Sequence, residues 1–196
     1  ESSCDETAGA VCKDGKIISN VVLSQEIHHK FGGVVPEIAS REHDSHINSI
    51  ILKTLDNADI NFSDIHAIAV TYGAGLMGAL LVGLNYAKGL SISLNIPFIG
   101  INHLEGHLYA SFIDNPQMEY PYLCLLATGG HTQIWEVQSS GNYVLHSTTV
   151  DDAAGEAFDK GARILGLPYP GGPEIEKIAF SGDPQKYSFS IPRVKS

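Results

Sequence analysis

Two histidines four residues apart, His103 and His107 in "INHLEGHLYA", are the side chains best spaced for metal chemistry. On a helix, positions four apart sit about 40° from each other on one face, so both rings can aim at one ion. Glu105 would sit about 200° from His103, on the opposite side. It therefore cannot be the general base that an H-E-x-x-H protease places beside its metal. Spacing alone leaves open a metal site lacking a third ligand and a surface helix with two solvated histidines.

Three further motifs could each bind a ligand or be ordinary structure. "TGGHT" (128–132) places paired glycines between strands, where backbone N–H groups could face an anion or simply form a hairpin turn. "SSCDET" contains Asp5 and Glu6, which could hold a metal-bound water or a ligand hydroxyl, or form an exposed acidic turn. Asp159 in "DDAAGEAFDK" could bind a ribose hydroxyl or an amine, or lie on a solvated helix face.

A second histidine-rich zone contains His28, His29, His43 and His46. The "HDSH" spacing shares one helix face, but no third ligand is obvious, so a metal site is the minor interpretation here. The later "PGGP" stretch could set backbone amides against a ligand or form a stiff turn before a helix.

Local patterns predict the elements that must position these side chains. Asp14-Gly15 predicts a hairpin turn between two strands near the start of the chain. From Tyr120 onward three strands are expected, with turns at Gly129-Gly130 and Ser140-Gly141, and then two helices. Between these parts we expect helices over 35–58, 76–95 and from His103, and strands over 65–71 and 97–101.

The strand–turn–strand unit followed by helices occurs near residues 1–24 and again near 121–150, which favours a duplicated α/β fold. The polar segment between Phe112 and Tyr120 predicts a boundary, with one lobe over 1–115 and a second over 116–196. Duplicated α/β lobes usually bind their ligand in the cleft between them.

Composition narrows the function classes. The net charge of −10, from 22 acidic and 12 basic residues, argues against bulk attraction of this chain to RNA or anionic lipid. Three widely spaced cysteines indicate a reduced compartment, which predicts a cytoplasmic location. Asn85 and Lys88 interrupt the most apolar stretch, so no membrane span is expected. The abrupt start at Glu1 and the end at "SIPRVKS" lead us to expect a fragment of a longer protein.

Six motifs in one order, "ESSCDETA", "FGGVVPEIASREH", "HLEGH", "TGGHTQ", "DDAAGEAFDK" and "YPGGP", together resemble the TsaD family in its bacterial form. These proteins are the tRNA N6-adenosine threonylcarbamoyltransferases, formerly described as O-sialoglycoprotein endopeptidases. The resemblance implies the actin/sugar-kinase/Hsp70-like (ASKHA) fold, with duplicated lobes around a nucleotide cleft and a second lobe that is truncated in this chain.

The resemblance also implies an activity. The family moves the threonylcarbamoyl group of threonylcarbamoyl-AMP to the N6 amine of the adenosine 3′ of the anticodon, in tRNAs that read codons starting with A, and AMP leaves. One divalent metal per subunit is implied, Fe²⁺ first and Zn²⁺ as the alternative. The implied partners are tRNA, a paralogous TsaB-like dimerisation subunit and a small TsaE-like ATPase. The rival functions are a metal-dependent glycoprotein endopeptidase and a non-catalytic nucleotide-binding scaffold subunit.

By the same resemblance, His103 and His107 are metal ligands, and Asp5 and Glu6 are the residues expected to matter for catalysis. The family's third metal ligand, an aspartate, and one asparagine contact to the substrate are expected in a C-terminal portion outside this chain. The implied substrate-binding residues are Leu126, Ala127, Thr128, Gly129, Gly130, Asp159 and Gly172.

Overall fold

The computed structural model describes residues 1–190, apart from the side chain of Asp114. In that part of the chain, strands and α-helices are joined by short loops, and 3-10 helices cover Glu26–Phe31 and Phe62–Asp64. The strands are β1 (Glu6–Lys13), β2 (Lys16–Ser24), β3 (Ile68–Gly73), β4 (Phe98–Asn102), β5 (Tyr122–Ala127), β6 (Thr132–Ser139) and β7 (Asn142–Thr148). The α-helices are α1 (Pro36–Asn57), α2 (Met77–Leu94), α3 (His103–Asp114), α4 (Ala154–Ile164) and α5 (Gly171–Ala179).

An antiparallel hairpin of β1 and β2 begins the fold. Asp14 and Gly15 link the strands with φ values of 52° and 75°. Two successive residues in the left-handed region are what a type I′ turn requires, and that turn matches the right-handed twist of the strands. The hairpin turn predicted at Asp14-Gly15 is therefore confirmed.

Helix α1 covers the hairpin with one buried stripe. Its buried positions recur every three or four residues, the spacing of a single helix face. Pro36 occupies the first turn, where a missing backbone N–H costs little. The buried residues are Ala39, His43, Ile47, Ile50, Thr54 and Leu55.

A β–α–β unit forms the centre of the first part of the chain. Strands β3 and β4 are parallel, and α2 connects them and packs on β3 and α1. The predicted strand over 65–71 begins later, at Ile68, because a 3-10 helix ends at Asp64. Since the two strands are parallel, their carboxyl ends lie at one edge, and α3 starts there directly after Asn102.

The first three residues lie between the hairpin and the β–α–β unit. Glu1 exchanges backbone hydrogen bonds with Ala8 of β1, with N···O distances of 2.9 and 3.0 Å. On the other side, Leu76 N donates to Ser3 O at 2.8 Å, and Ser2 Oγ donates to Ala79 O of α2. These bonds hold the segment against both units, beside the start of α3.

The second part of the chain is an antiparallel sheet in the order β5-β6-β7, followed by α4 and α5. The turns fall at 128–131 and around Gly141, which confirms the predicted turns at Gly129-Gly130 and Ser140-Gly141. The division of the chain into lobes at residue 115 remains a prediction.

By length and composition, α2 is the one helix among residues 1–190 that could cross a membrane. Core helices of globular proteins share these properties, and α2 packs against α1 and β3 with Ala79, Leu80, Gly83 and Ala87 buried.

Candidate functional site

The two histidines of α3 converge. Asn102 caps the helix by accepting a hydrogen bond from Leu104 N at 2.9 Å, which fixes the start of α3 at His103. One turn later comes His107, and the Nε2 atoms of the two imidazoles lie 3.1 Å apart. The ring centroids are 4.5 Å apart, with an angle of 84° between the planes.

This spacing fits two ligands of one ion. Bonds of about 2.1 Å to a shared metal put two ligand nitrogens about 3.4 Å apart in a tetrahedron and about 3.0 Å apart in an octahedron. The observed 3.1 Å lies between these values. Over residues 1–190 no group of three His, Cys, Asp or Glu side chains could hold a metal. Within the described residues, the histidine pair thus has the geometry for two ligands of one ion and no third ligand beside it.

The other ring nitrogen of His103 faces oxygen atoms. Its Nδ1 lies 3.3 Å from Ser3 Oγ and 3.6 Å from Glu1 Oε2. An imidazole whose Nδ1 proton is held by an oxygen presents an unprotonated Nε2, the arrangement usual for metal-binding histidines. Residues 1–3, which lie between the hairpin and the β–α–β unit, thus orient His103.

His107 lies close to the glycine loop of the second part of the chain. Burial lowers the pKa of His107, and the His103 and His131 imidazoles lower it further, against the opposing Glu1 carboxylate. The His131 imidazole, at the end of the 128–131 loop, therefore acts electrostatically on the histidine pair. Because metal ligation needs neutral imidazole, these surroundings favour the ligand form of His107.

Hydrogen bonds hold the two ends of the 128–131 loop, and its two central glycines are exposed. Thr128 N donates to His131 O at 2.8 Å, and His131 N donates to Thr128 Oγ1 at 3.0 Å. Gly129 and Gly130 are exposed, and a Cβ on either would meet nothing within 4 Å. A ligand can therefore reach the backbone of this loop. Leu126, by contrast, buries its side chain in the sheet, so only its backbone is available.

Helix α4 is fitted closely to this loop. Glu156 N donates to Gly129 O at 3.1 Å. A Cβ on Gly155 would stand 2.7 Å from Gly129 Cα and 2.9 Å from Thr128 O, so only glycine allows this approach. The loop and the start of α4 therefore form one packed unit.

Asp159 connects α4 to α5. Its Oδ1 accepts a hydrogen bond from Gly171 N at 2.7 Å. Gly171 is buried, with Ala162 Cβ 2.4 Å from where its own Cβ would be, and Gly172 follows it half-buried. The structure thus brings together two of the expected substrate-binding residues, Asp159 and Gly172, one helical turn along α4 from the contact between Gly155 and the glycine loop.

Asp5 and Glu6 lie where β1 begins, and their charges act on Tyr169, a tyrosine that the sequence analysis did not single out. Burial raises the pKa of Tyr169 to about 12, and the negative charges of Asp5, Asp159 and Glu6 act in the same direction. Acidic residues from both halves of the chain therefore act electrostatically on this phenol. Glu6 is exposed, and its Oε1 accepts a hydrogen bond from Ser24 Oγ at 3.0 Å.

A buried histidine holds the segment that carries these acids. His43 is fully buried; its Nδ1 lies 2.7 Å from Thr7 Oγ1 and its Nε2 lies 3.0 Å from Cys4 O. It therefore fixes the backbone on both sides of Asp5 and Glu6. Position 43 falls on the buried stripe of α1, and that periodicity was the sequence signal for a structural histidine.

In the second histidine zone, His28 and His46 make hydrogen-bond contacts with nearby protein groups. His28 Nε2 lies 2.8 Å from Gln25 Oε1, and Val35 N donates to its Nδ1. His46, on α1, lies 2.9 Å from Glu42 O through Nδ1. These contacts support the minor weight that the sequence analysis gave to a metal site in this zone.

The structure gives neither Glu105 nor Cys4 the surroundings of a catalytic residue. Tyr143 of β7 donates a hydrogen bond to Glu105 Oε1, which directs this carboxylate away from the histidine pair. Burial, together with Asp5, raises the pKa of Cys4 to about 12, so its thiol is not an activated nucleophile. All three cysteines are free.

Comparison with known proteins gives a consistent family. The family model described as "TsaD: tRNA N6-adenosine threonylcarbamoyltransferase" matches residues 16–196. A relative with that enzyme name from Thermosipho africanus is 54% identical over all of this chain, and one from Clostridium perfringens is 56% identical over 96% of it. The chain spans 60% and 56% of the length of these two relatives.

A solved structure agrees on the fold. A Pseudomonas aeruginosa protein, described as uncharacterized with similarity to peptidase YEAZ, matches with a TM-score of 0.51. The match covers 74% of this chain and 61% of that chain at 14% identity, so the likeness concerns the fold alone. The chain belongs to the TsaD family and has the actin/sugar-kinase/Hsp70-like fold.

Proposed function

We propose that the protein containing this chain transfers the threonylcarbamoyl group of threonylcarbamoyl-AMP to N6 of the adenosine 3′ of the anticodon, in tRNAs that read codons starting with A. The observation that carries the proposal is the 3.1 Å approach of His103 Nε2 and His107 Nε2 beside an open glycine loop. Family membership supports the reaction, since the relatives carry the name of this enzyme.

A divalent metal ion, Fe²⁺ with Zn²⁺ as the alternative, fits the imidazole pair. His103 and His107 would hold it, with further ligands from outside residues 1–190. When bound, the ion would supply Lewis-acid polarisation of the donor's oxygen atoms and help to orient the donor.

The expected site residues suit a donor with a good leaving group. Threonylcarbamoyl-AMP is a mixed carbamic–phosphoric anhydride. The adenosine N6 amine attacks its carbamoyl carbon, a C–N bond forms, the bond to the phosphate oxygen breaks, and AMP departs with the electron pair as the amine loses a proton. Backbone N–H groups at Gly129 and Gly130 would stabilise charge on the carbonyl or phosphate oxygens. Main-chain groups at Leu126, Ala127 and Thr128 would line the same side.

The acidic residues would have separate roles in the transfer. Asp159, with Gly172 beside it, would bind a hydroxyl of the donor. Asp5 and Glu6 would act at the start of β1, where His43 holds the backbone in place. Positioning of the two reactants can supply much of the rate in such a transfer, because the leaving group is already activated.

Partners and location follow from the same proposal. A chain of charge −10 gains little from bulk attraction to tRNA, so a paralogous TsaB-like subunit or a small TsaE-like ATPase would contribute basic surface. We expect the assembly in the cytoplasm, with no membrane component. The endopeptidase alternative is disfavoured by the Glu105–Tyr143 hydrogen bond, and the scaffold alternative by the converging imidazole pair.

The test is a transfer assay. The natural full-length protein, purified anaerobically, is mixed with threonylcarbamoyl-AMP and unmodified tRNA that reads an A-starting codon, and the digested nucleosides are analysed by mass spectrometry. We expect modified adenosine with the wild-type protein and none with His103→Ala. Absence of modified adenosine with the wild-type protein and its partner subunits present would refute the proposal.

A further inference from the structure

The carboxylate of Glu1 lies beside the His103 ring, at the nitrogen that does not face His107. Its Oε2 is 3.6 Å from His103 Nδ1, whereas His103 Nε2 lies 3.1 Å from His107 Nε2. Because the bonding directions of the two ring nitrogens diverge, a carboxylate next to Nδ1 lies outside the coordination shell of an ion at Nε2. Glu1 is therefore a neighbour of the expected ligand His103 and not a further ligand.

Two hydrogen bonds hold this carboxylate in place. Ser3 N donates to Glu1 Oε1 at 2.5 Å, and Thr71 Oγ1 donates to Glu1 Oε2, which is the oxygen next to His103. Neither donor belongs to α3, so the position of the carboxylate is set independently of the histidine. With both oxygen atoms bound by donors of the surrounding fold, the carboxylate is presented to Nδ1 in one orientation.

The β–α–β unit brings Thr71 to this place. In the parallel pairing of β3 with β4, Thr71 is opposite Ile101, two residues before His103. On the other side, the main chain of Glu1 exchanges hydrogen bonds with Ala8 of β1. Glu1 thus lies where the hairpin, the end of β3 and the start of α3 meet.

A carboxylate in this position determines which nitrogen of His103 is available to a metal. It attracts the proton of the neutral imidazole to Nδ1, so that Nε2 presents its lone pair towards His107. Its negative charge also makes Nε2 a stronger donor to a cation. Ser3 Oγ, 3.3 Å from Nδ1, can accept the same proton but carries no charge. Of the two neighbours of Nδ1, Glu1 is therefore the one that can raise metal affinity through charge.

We propose that Glu1 is a positioning residue for the metal ion, which acts through His103 and is itself held by Thr71. The inference rests on the metal site of the proposed function and extends that site by two residues. Neither of them is among the expected ligands or substrate-binding residues. The order of contacts is Thr71, then Glu1, then His103, and then the ion.

The test is the binding of Co²⁺ alone to the metal-free full-length protein, followed by the visible absorption of the bound ion. Glu1→Gln keeps an oxygen that accepts hydrogen bonds but removes the charge. We expect its Co²⁺ affinity to fall by about 10–100-fold, the usual cost of changing a residue that holds a ligand. Glu42→Gln is the matched control, because Glu42 Oε2 also lies 3.6 Å from a histidine Nδ1, that of His46. His46 is not an expected metal ligand, so this variant should bind Co²⁺ as the wild type does.

Thr71→Val separates the position of the carboxylate from its charge. It removes the hydrogen bond to Glu1 and leaves the carboxylate charged. Loss of this one bond should lower the Co²⁺ affinity by about threefold to tenfold. In both variants the absorption spectrum of the bound ion should change, since the direction of the His103 ring changes. A merely structural role would instead lower the melting temperature of the metal-free protein and leave the spectrum of bound Co²⁺ as it is.

The outcomes separate the inference from the proposed function. Wild-type Co²⁺ affinity in Glu1→Gln, or in Thr71→Val if Glu1→Gln does not fold, would overturn the inference and leave the proposed function standing. An equal loss in Glu42→Gln would overturn it too, because the effect would then not depend on His103. Absence of Co²⁺ binding in the wild-type protein would overturn both the inference and the proposed metal site.

Discussion

His103 Nε2 and His107 Nε2 lie 3.1 Å apart on adjacent turns of α3, close enough to share one metal ion. The carboxylate of Glu105, between them in sequence, points to Tyr143 of the β5-β6-β7 sheet instead. One helix therefore presents two converging imidazoles on one face and a structural contact on the other. This division separates the transferase function from the peptidase alternative.

Replacing Glu105 by Gln should leave metal binding intact. The amide oxygen of Gln can still accept from Tyr143, and the change costs at most about 1.5 kcal/mol of stability, the net worth of one hydrogen bond. Transfer activity should stay within about tenfold of the wild type, measured together with metal content and thermal unfolding. Tyr143→Phe, which removes the hydrogen-bond donor to Glu105, is the matched variant. It too should keep its bound metal and a transfer activity within about tenfold of the wild type. Loss of bound metal in Glu105→Gln, or peptide cleavage that needs Glu105, would favour the peptidase.

Gly155→Ala should disturb the glycine loop. The new Cβ would stand 2.7 Å from Gly129 Cα and 2.9 Å from Thr128 O, and backbone atoms cannot yield as a side-chain end can. We expect a loss of about 1–3 kcal/mol in the free energy of unfolding in urea, the usual cost of overpacking.

The control for that variant is Gly89→Ala in α2. Nothing lies within 4 Å of a Cβ at this position, so alanine should stabilise the helix by about 0.5–1 kcal/mol. Equal stability of the two variants would mean that α4 and the loop are not packed as described.

His43 should make stability depend on pH. Burial lowers its pKa, although Cys4 O, Glu1 and Asp5 oppose the shift, so the folded protein resists protonation at this residue. The unfolded chain binds that proton as pH falls through about 6.5, and stability then decreases; above that pH the two states bind equally and the effect is absent.

His43→Gln should therefore reduce the slope of unfolding free energy against pH on the acidic side of about 6.5. The exposed His66, changed to Gln, provides the control and should leave the slope as it is. An unchanged slope in His43→Gln would show that the buried ring is not held neutral.

Local patterns were sufficient for most of the secondary structure. The turn at Asp14-Gly15 needs two residues that tolerate positive φ, and the chain offers them between alternating strands. The i, i+4 spacing of His103 and His107 likewise predicts a shared helix face without any tertiary information. Such features depend only on neighbours in sequence.

Contacts between residues far apart in the sequence could not be predicted from such local patterns. Tyr169 gains its surroundings from Asp5 and His29, which lie more than a hundred residues earlier, and no local pattern links them. His43 was grouped with a weak metal zone, whereas its partners, Thr7 and Cys4, come from another element. The buried periodicity of α1 marks His43 as interior but does not name its hydrogen-bond partners.

The most direct test of the central claim is the metal content of the anaerobically purified full-length protein, determined by elemental analysis per polypeptide. We predict about one divalent ion per chain in the wild type and in His46→Ala, which changes a histidine of α1 that is not one of the expected metal ligands. In His103→Ala and in His107→Ala we predict that the affinity for the metal falls by more than about 100-fold. Changing a residue that only hydrogen-bonds to a ligand typically costs about 10–100-fold, and loss of a ligand itself should cost more. Full metal content in both of these variants would contradict the account.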